Sequence, residues 1–93
     1  MNEICALTDE LRRWSDEMLL RGWSQLGPDD LERLIRDRDT AALLQMDFLS
    51  RLLQNLADQG RQLLLGGGGE EELQRCFFRL CQYVMLAEEG IDQ

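Results

Sequence analysis

Residues 3–23 read EICALTDELRRWSDEMLLRGW, and the spacing of their apolar members decides the fold. Ile4, Leu7, Leu11, Trp14 and Met18 step by 3, 4, 3 and 4, which is a heptad seam along one side of a helix. A strand would alternate every second residue instead. Leu19, Leu20 and Trp23 broaden the stripe, so a first helix is predicted over about Glu3–Trp23. Such a seam has two uses. It packs inside a four-helix bundle, or part of it, near Leu11 and Trp14, is offered to a helix of another protein.

The rest of the chain extends the same reading. Leucine supplies 19 residues whereas valine, isoleucine and threonine together supply six, a balance that favours helix over strand. Five acid-to-arginine pairs fall at i,i+4 in the favourable order: Asp9–Arg13, Asp29–Arg33, Glu32–Arg36, Asp47–Arg51 and Glu71–Arg75. The class is therefore all-α, a single domain over residues 1–93 of four helices, three long and one short, in a bundle-like or orthogonal arrangement. The short second helix is predicted from Pro28 to Arg36, with Gly27 as N-cap and Asp29 and Asp30 at the positive end of its dipole. A third follows from Thr40 to Gln59, capped by Asp39 or Thr40 and stopped by Gly60. Leu43, Met46, Leu49, Leu52, Leu53 and Leu56 form its core face. The fourth opens on Glu70, Glu71 and Glu72 and ends near Glu89, leaving 90–93 as a frayed tail.

The fourth helix is apolar over more than half its circumference. Leu73, Phe77, Leu80, Val84 and Ala87 make one seam, and Phe78, Cys81 and Met85 a second beside it, with Cys76 and Tyr83 on the flanks. So broad a surface sits centrally in a bundle or touches something on two sides. Its end runs against helix electrostatics, because Glu88, Glu89 and Asp92 put acid at the negative pole. A solvated tail explains that, as does a landing site for a basic patch.

Composition excludes most chemistry. The 93 residues contain no histidine and no lysine, and Asp plus Glu outnumber arginine 18 to 10 for a net charge of −8. There is no imidazole base, no Schiff-base lysine and no P-loop lysine. The acidic balance opposes nucleic-acid binding, which needs a basic face to displace counterions. No apolar run is long enough to insert in a membrane and no signal peptide is evident. Cys5, Cys76 and Cys81 follow no CxxC pattern, and Cys76 and Cys81 point about 140° apart on a helix. They read as small core residues of a cytosolic protein. The loop Gly66–Gly69 leads into three glutamates, which would repel a phosphate, so it reads as a flexible connection. Paired acids such as Asp29 and Asp30 point apart on a helix and hold no metal. The expectation is a non-catalytic binding protein with no cofactor, no metal and no small-molecule substrate.

The run Glu71-Glu72-Leu73-Gln74-Arg75-Cys76-Phe77-Phe78-Arg79-Leu80-Cys81-Gln82, followed by acid at Glu88 and Glu89, resembles the last helix of the TyeA family. These are small helical subunits of bacterial type III secretion systems. Trp23 and the acidic stretch Asp29-Asp30-Leu31-Glu32-Arg33-Leu34 are similar to that family's tryptophan and second helix, and the resemblance covers roughly Trp23 to Glu89. The chain departs from the pattern by being longer around Gly27-Pro28 and by having Gly66–Gly69 where the family has a bulkier apolar loop. The resemblance implies a 1:1 complex with the C-terminal helical region of a YopN-like gatekeeper. That complex holds back effector secretion before host contact, in the bacterial cytoplasm at the cytoplasmic face of the apparatus. Carried onto this chain, it gives Leu11, Trp14 and Met18 as interface, with Leu7 on the same seam and Trp23 as interface or core. Composition alone also fits an acidic inhibitor or antitoxin-like adaptor that masks a basic surface, and the seam fits a homodimer.

Overall fold

The computed structural model describes residues 3–91, and every regular element in them is helical. Helix α1 (Glu3–Arg21) leads through a 3-10 turn (Trp23–Gln25) to α2 (Pro28–Leu43), α3 (Asp47–Leu64) and α4 (Glu70–Ile91). The domain is all-α with four helices, of which α2 is the shortest. Arg12 on α1 meets Glu88 on α4, Trp14 meets Asp30 on α2, and Gly60 on α3 meets Leu31 on α2. Contacts step in opposite directions along each pair, Glu10–Arg33 then Arg21–Asp30 for α1 and α2, Leu31–Gly60 then Arg38–Gln54 for α2 and α3, and Arg12–Glu88 then Trp14–Phe77 for α1 and α4, so neighbouring helices run antiparallel. The closest pairing is α2 with α3, while α4 lies against both α3 and α1.

Each helix end has a local cause. Gly22, at φ 83°, turns the chain out of α1. Helix α2 starts as expected: Pro28 needs no N–H partner at the first helical position, and the Asp30 carboxylate accepts the Gly27 N–H at 2.9 Å. Its far end corrects the sequence reading. Thr40 does not open a third helix, because its hydroxyl donates back to the Arg36 carbonyl at 3.1 Å and the helix continues to Leu43. The stop is a Schellman turn, with Gln45 N–H on Ala42 O at 3.1 Å and Met46 N–H on Ala41 O at 2.9 Å. Gln45 occupies its left-handed position at φ 62°, a conformation disfavoured for a residue with a Cβ. Leu43, expected on the core face of α3, is consequently 84% exposed at the end of α2.

The same motif ends α3, with glycine in the strained position. Gly66 N–H reaches Leu63 O at 3.1 Å and Gly67 N–H reaches Gln62 O at 2.9 Å, with Gly66 at φ 80°. Gly60 is therefore not the stop. It lies inside the helix, where an added Cβ would stand 2.6 Å from Leu31 Cδ2, so its absent side chain lets α2 and α3 approach. Helix α4 likewise passes through Gly90 to Ile91, because one glycine costs a helix only about 1 kcal/mol. The tail expected from residue 90 is thus helical to Ile91, and Asp92 and Gln93 lie outside the described residues.

The core is a single cluster running through all four helices. From α1 it takes Leu7, Leu11, Trp14 and Met18; from α4 it takes Leu73, Phe77, Leu80 and Val84. Trp14 and Trp23 both pack on Phe77, the second edge-on with ring centroids 4.9 Å apart. None of the five expected i,i+4 ion pairs is among those formed by the described residues, and two of the arginines take other partners. Arg33 bridges Glu10 at 2.9 Å and Glu17 at 2.6 Å, tying α2 to α1 rather than to Asp29, and Arg75 takes Glu72 at 3.0 Å rather than Glu71.

Two stability measurements follow from these ends. Gln45→Gly should raise stability by about 0.5–1 kcal/mol in urea denaturation, since glycine accepts the left-handed conformation without a Cβ penalty. Asp30→Ala should lower it by about 2–3 kcal/mol, because the Gly27 N–H and Arg21 both lose their acceptor.

Candidate partner-binding site

The residues expected to meet a partner are mostly inside. Leu11 is fully buried, Trp14 is 1% exposed, and Leu7 and Met18 lie in the same core. Trp14 also spends its one polar atom internally, with Nε1 donating to the Asp30 carbonyl at 3.1 Å. Trp23 is half-buried against Phe77. The expectation that this seam faces a partner is corrected: α1 and α2 bring it to the centre, where it covers the main seam of α4. The heptad spacing identified a buried face but not what buries it.

A different apolar surface stays outside. Between α1 and α4 runs a groove of about 450 Å³ lined by Ser15, Leu19, Cys81, Val84 and Met85. Leu19 is 66% exposed and Met85 63%. Phe78, at 61%, continues the α4 face one heptad before Met85. This is the second seam of α4 together with the residue that widened the α1 stripe. The sequence signal was there in Phe78, Cys81 and Met85, since a helix buried on one side by a narrow seam leaves its neighbouring seam outside. Arg12, Asp16, Glu88 and Glu89 rim the groove, and Arg12 pairs with Glu88 at 2.9 Å across it. Of the acids at the negative pole of α4, Glu88 therefore has an interhelix partner, while Asp92 lies outside the described residues.

The floor of the groove carries two small polar groups. Ser15 is buried and its hydroxyl makes no hydrogen bond of standard geometry, although it faces Cys81. Burial pushes the Cys81 thiol up, Ser15 pulls it the other way, and Asp16 adds to the rise. The Cys76 thiol is also raised, by burial first and by Glu72 second. All three cysteines are free. A raised thiol holds little thiolate, so neither Cys76 nor Cys81 is primed as a nucleophile. Among the described residues no group of three acidic or cysteine side chains is placed to hold a metal, and no helix is long and apolar enough to cross a membrane.

A second groove, of about 410 Å³, lies between the opening of α1 and the end of α2, lined by Leu7, Glu10, Asp37, Thr40, Leu43 and Leu44 among others. Asp37 was not singled out by sequence, because an acid on an acidic helix looks like solvated surface. Here it is 8% exposed and its Oδ2 has no hydrogen-bond partner. Its pKa is raised to about 6, by burial first and by Glu10 second, with Arg33 and Arg36 opposing the rise.

Compared with known proteins, the chain matches no family model, no curated protein and no solved structure.

The Asp37 carboxyl binds its proton more tightly in the folded chain than in the unfolded one. Its contribution to stability is therefore gained as pH falls from about 6 toward 3.8 and lost as pH rises through about 6. Asp37→Asn should remove this slope from thermal-melting curves and raise stability at neutral pH by about 1–2 kcal/mol.

Proposed function

We propose that the chain is a non-catalytic binding subunit whose partner lays an amphipathic helix in the α1/α4 groove. The observation that carries this reading is the cluster of exposed apolar side chains, Leu19, Phe78 and Met85, on and beside a groove with an acidic rim. Full burial of each would gain roughly 1.5–3 kcal/mol, and a monomer that leaves them in water forgoes that energy. The rim selects the guest. Asp16 and Glu89 favour a helix with basic residues flanking its apolar stripe.

In the terms of the TyeA resemblance, the guest is the C-terminal helical region of a YopN-like type III secretion gatekeeper. The chain binds it 1:1 in the bacterial cytoplasm and helps hold back effectors before host contact. The support is the resemblance of residues 71–82 and the acidic end of α4 to that family's last helix, the helix that supplies half of the groove. A second reading draws on the net charge of −8 and the acid around both grooves: an inhibitor or antitoxin-like adaptor that masks a basic surface.

A calorimetric titration of the chain with the gatekeeper's C-terminal helical region separates the two. Met85→Asp and Leu19→Asp should each weaken binding at least about tenfold, or 1.4 kcal/mol, without lowering the melting temperature of the free chain. Affinity that survives both changes removes the groove. Affinity that collapses when salt is raised, with both variants binding like the parent, favours the masking reading, because only exposed charge attraction is screened so strongly.

A further inference from the structure

The α1/α2 groove makes a separate case, independent of which helix occupies α1/α4. Asp37 lines it as a carboxylate taken out of water without the compensation such groups ordinarily have. The nearest cations are committed or distant. Arg33, one turn earlier on α2, has its guanidinium divided between Glu10 and Glu17, which hold it firmly charged, and Arg36 assists Asp37 only through its field. Glu10 and Glu3, on α1, add negative charge to the same groove. No charged residue of α3 or α4 lines it. An acid placed this way costs stability and contributes nothing to the core, a pattern found where a residue is kept for a ligand.

The walls say which ligand. Ala6, Leu7 and Leu44 give an apolar slot, and Leu43 stands exposed at its rim, so the guest is an apolar stem with a cation at its tip. A guanidinium suits the site better than an ammonium. It is more weakly hydrated, its flat face lies against aliphatic side chains, and its fork of donors can serve Asp37 and Glu10 together. A metal ion does not fit, since the described residues bring no third acid into ligating position.

We propose that the pocket around Asp37 receives the guanidinium group of an arginine side chain brought by a protein partner. The arginine stem lies along Leu7, Leu43 and Leu44, and its head pairs with the Asp37 carboxylate.

The test uses the whole chain with carbon-13-labelled aspartate and leucine, and Nα-acetyl-arginine amide as probe. The Asp37 carboxyl carbon is followed by NMR through a pH titration with and without the probe. A guanidinium that pairs with the ionised form must lower the Asp37 titration midpoint. With about 100 mM probe and a site of about 30 mM affinity, the drop is about 0.6 pH unit. The Leu43 and Leu44 methyl signals should shift saturably over the same range, and in Asp37→Asn those shifts should vanish while the fold is kept. A midpoint that moves no further than in tetramethylammonium chloride of equal concentration overturns the proposal. So do methyl shifts that persist in Asp37→Asn, and an equal response to Nα-acetyl-lysine amide overturns the choice of arginine.

Discussion

The position of α1 on the other helices rests on one buried acid. Asp30 takes the Gly27 N–H on one carboxylate oxygen and Arg21 on the other, at 2.9 and 2.6 Å, while its own carbonyl receives Trp14 Nε1 at 3.1 Å. Three segments are thus fixed by one residue: the end of α1, the start of α2 and the largest side chain of the core. Burying a charge is costly unless its lone pairs are used, and here both oxygens are. The arrangement sets the register of α1 on α2, which in turn lays Trp14 on Phe77 and closes the α1 seam over α4. Arg33, spanning Glu10 and Glu17, holds the same two helices together further from the turn.

Much of this is legible in the amino-acid sequence. The helical class, the start of α2 at Gly27-Pro28, and the core membership of Leu73, Phe77, Leu80 and Val84 all follow from spacing and local chemistry. The boundary between α2 and α3 did not. Asp39 and Thr40 have the chemistry of a cap, but the same hydroxyl serves equally well by bonding back one turn, and only tertiary packing decides between them. Nothing about Gln45 advertises a left-handed turn. Gly60 misled for the complementary reason: a glycine at a helix–helix crossing and a glycine at a helix end look alike in a sequence.

The candidate site shows a more general limit. Periodicity reveals which side chains share a face, yet Leu11 and Trp14 on α1 and Phe78 and Met85 on α4 produce equivalent signals. One set is buried and the other is not. The difference lies in geometry between helices, above all in the polar anchor at Asp30, which turns the Trp14 side of α1 inward and leaves Leu19 at the edge. Asp37 was invisible for another reason. Its significance comes from what surrounds it, and an acid eight residues from the next turn of chain carries no mark of being dry.

The antiparallel packing of α1 on α4 has a topological consequence. The opening of α1 and the close of α4 come to the same end of the domain, since Arg12 already lies opposite Glu88. At the other end of α4, the connection from α3 is a run of glycines in which Gly67 and Gly69 have open space around them. The order in which the chain visits its helices is therefore separable from how they pack. A break between Gly67 and Gly69, where no residue belongs to the core, would leave the buried cluster of all four helices intact.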